Sequence, residues 1–414
     1  MRLHHELSCD KYLETFRSLA IMGPVSRTEL LREVLAHPDE MEPRLVFADW
    51  LQQNGEAERG ELICIDCRLE DAEPWSDQQV ALEKRRTELL RRYASTWTTP
   101  ISALVEEARW RRGFVENVTV SVHRPALPQL LALEPVRVVR WRRTPDWTRF
   151  ADLGRSVYLD QLAGIELDSF LIGNALAELL GPGSRVPGLR SLWLAGNEWR
   201  GMVEVLAAQP WRRLEELELS FNNLGDGELA SLVLAKQLGT LRCLRFRDSG
   251  IGDLVAEAVS RATHLASLTD LRIDNVHVRG YRRREPEAGV SARGVSAMAV
   301  APHLAGLRYL DLCGHRLGPE GAVELAAAEC LGSLRILSLA EGDPGVGDAG
   351  LRAMAASPHL RGLRALSLQA NAITDRGAAA LLDQGVFPAL RGLQLAGNDL
   401  SDSLLVRLRE RYNR

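Results

Sequence analysis

Lysine is almost missing from this chain. Of its 51 basic residues only Lys11, Lys84 and Lys236 are lysines, and the rest are arginines. A skew that runs the whole length is a compositional bias, so a short arginine cluster says less about phosphate recognition than it otherwise would. Aromatics are scarce too, at 6%, so a core must be built mainly from leucine, alanine and valine. The six cysteines, Cys9, Cys64, Cys67, Cys243, Cys313 and Cys330, have no spacing that makes a disulfide framework. Cys64 and Cys67 form one C-x-x-C without a second pair of ligands nearby, so a zinc site is not expected and packing within a helix is. There is no run of about 18 apolar residues and hence no membrane span. Acidic residues interrupt the apolar part of "MRLHHELSCDKYLETFRSLAIMGP", which argues against a secretory signal. The net charge is −4, and neither residues 1–112 (16 basic, 21 acidic) nor 113–414 (35 basic, 34 acidic) form a basic domain. Electrostatics therefore give no drive toward nucleic acid. The expectation is a soluble, cytoplasmic, monomeric chain.

Catalytic motifs are missing as well. There is no phosphate-binding loop, dinucleotide fingerprint, H-E-x-x-H or G-x-S-x-G. His264, His303 and His359 recur before successive strands, a structural position. Cys313 and His315 in "LDLCGH" supply only two ligands where a metal site needs more. No catalytic residue, cofactor or metal is expected, and the chain reads as a non-enzyme.

What is present is periodicity. "LRSLWLAGN" begins at Leu189, "LEELELSFN" at Leu214, "LRALSLQAN" at Leu363 and "LRGLQLAGN" at Leu390. Weaker copies of L-x-x-L-x-L-x-x-N begin at Leu133, Leu162, Leu241, Leu268, Leu307 and Leu334. Successive spacings are 29, 27, 25, 27, 27, 39, 27, 29 and 27 residues. Leucines at positions four and six alternate as on a short strand with one buried face, so Leu310 and Leu366 should be core residues. Asn197, Asn222, Asn371 and Asn398, at position nine, can satisfy backbone groups where the chain leaves the strand. Each turn is followed by an alanine-rich helical pattern, with Asp226, Asp348 and Asp375 as expected N-caps. "DSLLVRLRERYNR" reads as a closing amphipathic helix with Leu404, Leu405 and Leu408 inward. Trp141 and Trp147 read as rings covering an open sheet end.

This pattern resembles the leucine-rich-repeat family, over roughly residues 115–414, and its 27–29-residue units resemble the ribonuclease-inhibitor-like subclass. The resemblance implies an α/β solenoid, a curved parallel sheet with helices on its convex side.

Residues 24–112 lack the repeat. "TELLREVLAHPDE", "EPRLVFADWLQQNGE", "ERGELICIDCRLE", "DQQVALEKRRTELLRRY" and "ISALVEEARW" read as helices. Asp49 is expected to hold a structural hydrogen bond or an ion pair with Arg44. The stretch from "LLREVLAHPDE" to "IDCRLE", with "RRGFVENVTV" after it, resembles the repeat-companion domain of bacterial leucine-rich-repeat proteins. The division expected is an N-terminal extension (1–23), a small all-helical domain (24–112) and a solenoid of about ten repeats (113–414).

Function then falls to the surface. In each unit the residue between positions four and six, and the one two later, point to the concave side. The first register takes Arg137, Glu166, Trp193, Glu218, Arg245, Arg272 and Asp311. The second takes Val139, Asp168, Arg247, Asp274 and Cys313. The last three units present small or uncharged residues, whereas the middle ones gather tryptophan, glutamate, arginine and aspartate, and Trp193 among charges has the composition of a binding anchor. The longest spacing carries an insert, "VHVRGYRRREPEAGV". There Tyr281 would anchor, and Arg282, Arg283 and Arg284 would meet carboxylates or phosphates, extending the surface made by Arg245, Arg247, Arg272 and Asp274. The reading is a protein-interaction module with a protein partner. The alternative, by analogy with the resembled subclass, is a regulator of an enzyme in trans, a hydrolase inhibitor or GTPase activator.

Overall fold

A computed structural model describes residues 25–72, 76–121, 127–142, 154–168, 179–181, 183–197, 201–222, 224–247, 250–275 and 289–412. The chain divides into two compact units, Met1–Thr144 and Pro145–Arg414.

The described residues of the first unit begin with four helices, α1 (Arg27–Ala36), α2 (Glu42–Gln53), α3 (Ala57–Asp71) and α4 (Asp77–Thr98). Ser26 caps α1 in a capping box with Glu29. Apolar faces at helical spacing bring Leu30, Val34, Phe47, Leu51, Ile63 and Cys67 into one core. Cys67 is buried there, as the helix-packing reading expects, and burial pushes its thiol up to about 12. Residues 101–110, expected as a helix, instead lead into strand β1 (Glu107–Arg111), which pairs antiparallel with β2 (Phe114–Ser121). The reason lies in the turn between them. Arg112 and Gly113 both have positive φ, 48° and 75°, the tight hairpin geometry that turns the strands back on each other. A Cβ on Gly113 would lie 2.3 Å from the Ile63 side chain, so only glycine lets α3 approach so closely.

Phe114 stacks on Phe47 at 5.9 Å and joins the helical core. Beneath it, buried Arg44 pairs with buried Glu116 at 2.8 Å, and Arg112 reaches the same carboxylate. Arg44 is thus not the partner of Asp49. Asp49 is exposed and accepts from Gln53 at 2.8 Å. Arg59 lies over Trp110 at 4.3 Å, Trp97 at 5.0 Å and Phe114 at 5.3 Å, and burial draws its pKa down to about 10. Helix α5 (Leu127–Leu133) and strand β3 (Val138–Arg142), parallel to β2, complete the unit. The repeat register assigned from Leu133 does not hold here. Leu133 is 40% exposed, Val139 and Trp141 are buried, and Arg137 pairs with Asp39 at 3.0 Å. The buried set runs Leu130, Val136, Val139, Trp141, which does not follow the spacing of the later units.

The second unit holds parallel strands in chain order: β4 (Gly164–Asp168), β5 (Ser191–Trp193), β6 (Glu216–Glu218), β7 (Cys243–Arg247), β8 (Asp270–Asp274), β9 (Tyr309–Asp311), β10 (Ile336–Ser338), β11 (Ala365–Ser367) and β12 (Gly392–Gln394). Between them run helices α6 (Met202–Ala208), α7 (Asp226–Val233), α8 (Asp253–Arg261), α9 (Ala292–Ala299), α10 (Gly318–Ala327), α11 (Gly347–Ala356) and α12 (Asp375–Ala378), and α13 (Asp402–Tyr412) closes the chain. Position four of every unit lies in one register, Ile165, Leu192, Leu217, Leu244, Leu271, Leu310, Leu337, Leu366 and Leu393, all buried. Each such side chain stabilises the stack by roughly 1.5–3 kcal/mol. At the far end Leu404 and Leu408 are buried as expected, with Leu405 half-buried.

Two hydrogen-bond ladders hold successive units together. In the first, position-nine asparagines bridge backwards. Asn398 donates to Leu368 O at 2.7 Å and accepts from Ile373 N at 3.1 Å, and Asn222 and Asn371 do the equivalent. His315 takes the same role where asparagine is missing. Its Nδ1 accepts from Val290 N at 3.0 Å, so Nε2 carries the proton and donates to Ile273 O. The residue before each of these turns is left-handed: Gly196, Phe221, Gly314, Ala370 and Gly397. In the second ladder the aspartates act one unit further along than expected. Asp226 and Asp375 are first helical residues, behind Gly225 and Thr374. Asp226 accepts from Leu254 N and Val255 N of α8, each at 3.0 Å, Asp348 from Thr374 N at 2.8 Å, and Asp375 from Ser401 N at 2.8 Å. Their carboxylates cap the next helix because the helices stack side by side with their N-termini aligned.

Candidate functional site

Strand alternation sends every second residue away from the helices, and the strand pairing sorts these into rows. One row runs Glu166, Trp193, Glu218, Arg245, Arg272, Asp311, Ser338, Ser367, Gln394. Beside it lie Ser191, Glu216, Cys243, Asp270 and Tyr309, and on the other side Arg247 pairs in register with Asp274. Five predicted site residues, Trp193, Glu218, Arg245, Arg272 and Asp311, thus stand side by side, flanked by Glu166, Arg247 and Asp274. Asp168 ends β4, but its side chain lies outside the described residues, as do Tyr281, Arg282, Arg283 and Arg284.

Asp270 organises the middle of this face. It binds Arg272 through both oxygens, at 2.9 and 2.7 Å, and lies 3.6 Å from Arg245. The Arg272 guanidinium in turn covers the Tyr309 ring at 4.1 Å, and Arg245 sits 5.3 Å from the Trp193 ring. Arg247 spans both oxygens of buried Asp274, at 3.0 and 3.2 Å. Burial alone would lower the pKa of Arg247, but Asp274 outweighs it and holds the charge. These arginines are therefore paired with carboxylates of the same sheet. Trp193 is likewise half-buried rather than free in solvent, and its indole Nε1 is buried with no acceptor among the described residues.

The carboxylates are less well matched. Glu218 turns to Ser220, accepting from its backbone N–H at 2.8 Å and from its hydroxyl, and burial raises its pKa against those bonds. Asp311 accepts from the Cys313 N–H, at 3.1 Å. Cys313 and His315 form no pair: the Cys313 thiol meets the Ser338 hydroxyl at 2.7 Å, and both His315 nitrogens are spent on backbone. Among the described residues no group of three or more His, Cys, Asp and Glu side chains is placed to hold a metal, and no helix is long and apolar enough to cross a membrane.

Asp270, Glu216 and Tyr309 were missed from the sequence. They occupy position three of their units, and carrying the strand alternation one step earlier would have found them. A 330 Å³ cavity lies elsewhere, between β12 and α13, lined by Gln369, Gln394, Leu405, Leu408 and Arg409.

The Leucine Rich repeat family profile matches residues 213–231, 306–326 and 359–382, each spanning a strand, its turn and the following helix. Over these three segments the chain carries leucine-rich repeats. No curated protein matches the sequence. Solved structures similar to this repeat protein include the yeast Rad7–Elc1 complex, at 15% identity and TM-score 0.44, covering 87% of each chain. An internalin from Listeria monocytogenes is 14% identical with TM-score 0.38, over 71% of this chain and 84% of that one. A Bacteroides fragilis protein is 14% identical with TM-score 0.45, over 79% and 86%. Leucine-rich repeats build extended surfaces for protein interaction, and this array belongs to that class of module.

Proposed function

We propose that this leucine-rich-repeat protein is a non-catalytic binding module that holds a protein partner on the open face of β5 to β9. One observation carries the reading. Trp193, Tyr309 and the ionised side chains are concentrated on these five strands, and the three arginines are locked to Asp270, Asp274 and the two rings, while β10 to β12 offer Ile336, Ser338, Ala365, Ser367, Gly392 and Gln394. Side chains held by mutual pairing lose little freedom on binding, and rigid aromatic and arginine groups are the types that dominate interface energies. In the same reading residues 24–112 are a helical companion that seals β2 through Phe114, ahead of a solenoid over 113–414.

The test is capture with the full chain, comparing wild type, Trp193→Ala/Arg272→Ala and, as a control on the uncharged strands, Ser367→Ala. A species retained by wild type and the control but lost by the double variant, and bound again when purified, supports the reading. Equal capture by all three overturns it.

A further inference from the structure

We infer that the partner segment is cationic, an extended stretch with lysine or arginine at positions i and i+4 laid across β6 to β9. The inference rests on the open-face reading above and names the chemistry that face accepts. Across β6 to β9 the open face carries five carboxylates, Glu216, Glu218, Asp270, Asp274 and Asp311, against Arg245, Arg247 and Arg272. All three arginines lie within ion-pair distance of two of those acids, Asp270 and Asp274. Glu216, Glu218 and Asp311 then meet no cation within 4.0 Å among the described residues. Asp311 is buried and Glu218 half-buried, and among the described residues their hydrogen bonds come from Cys313 and Ser220. A carboxylate drawn out of water with no cation in contact is costly, and a partner's cation would add to the more distant attraction of Arg245 and Arg247 at Glu218.

Geometry sets the spacing. From β6 to β9 there are three strand intervals of about 4.8 Å, so Glu218 and Asp311 stand roughly 14 Å apart in one row. An extended chain advances about 3.3–3.6 Å per residue, so residues four apart span the same distance. With a side-chain period of two, both would point to the sheet. Trp193, on β5 next to this row, and Tyr309, on β9 at its far end, are aromatic rings against which the same side chains' alkyl stems can pack. An anionic partner would meet three unpaired carboxylates here, and β10 to β12 give it no compensating charge.

Selection from a random dodecapeptide library on the immobilised full chain at physiological salt tests this. Enrichment of peptides with two basic residues four apart, falling at least tenfold on Glu216→Gln/Glu218→Gln/Asp311→Asn and on Glu218→Gln alone to a smaller extent, supports the inference. Ser367→Ala should leave it unchanged. Acidic or charge-neutral binders that still depend on Trp193 overturn the cationic partner while leaving the open-face reading in place. Binders indifferent to Trp193 and to all three acids overturn both. Basic binders that appear only after residues 278–288 are deleted assign the face to the chain's own Arg282–Arg284 and overturn a basic partner.

Discussion

Replacing His315 with asparagine should remove a pH dependence from the folding of this protein. His315 is fully buried, with Nδ1 accepting from Val290 N and Nε2 donating to Ile273 O. Protonating Nδ1 would break the first bond and leave a charge in the core. Burial accordingly lowers the pKa from 6.5 to about 4. The sign follows from proton counts. Between about pH 4 and 6.5 the unfolded chain binds a proton at this histidine and the folded chain does not, so stability falls as pH drops through that window. At about 1.4 kcal/mol per pH unit, the loss is roughly 2 kcal/mol between pH 6.5 and 5 and about 3 kcal/mol by pH 4. Asparagine occupies the same place at Asn222, Asn371 and Asn398, reaches the equivalent carbonyls, and does not titrate. Urea unfolding of wild type and His315→Asn from pH 7.5 to 4.5 checks this, because the carboxylates common to both cancel in the difference. The variant should gain on the wild type by about 2 kcal/mol on going from pH 6.5 to 5. Parallel curves would show that His315 keeps an ordinary pKa and that the ladder assignment is wrong.

Further outcomes follow from the same geometry. Leu310→Ala, at a site with no solvent exposure, should cost about 2–5 kcal/mol, against about 1 kcal/mol for half-buried Trp193→Ala; equal losses in urea midpoints would invert the strand register. Ala370→Gly relieves a left-handed residue at φ 50° and should raise stability by up to about 1 kcal/mol by the same assay. Glu116→Gln leaves Arg44 charged and buried without its counter-ion, so thermal unfolding should report a loss of about 3–5 kcal/mol, and a neutral result would mean the pair contributes nothing.

Much of this protein was legible before any coordinates. A leucine at positions four and six with a period near 27 dictates strands, their buried face and their order, because a repeat that cannot bury its apolar side alone must stack on its neighbours. The row holding Trp193, Glu218, Arg245, Arg272 and Asp311 followed from alternation. Where the period is absent the reading failed. Residues 101–110 look helical by composition but lead into strand β1 because Arg112 and Gly113 turn tightly beneath α3, and the Leu133 register gave way to Leu130, Val136 and Val139. Neither outcome is local, since each depends on what packs from elsewhere in the first unit. Partner choice was equally beyond the sequence. That Asp226 caps α8 rather than its own helix, that His315 stands in for an asparagine, and that Asp270 and Asp274 lie within ion-pair distance of all three arginines of the open face are matters of which groups meet across units. Spacing places residues on a face, but hydrogen bonds and ion pairs depend on distances between strands and helices that only stacking establishes.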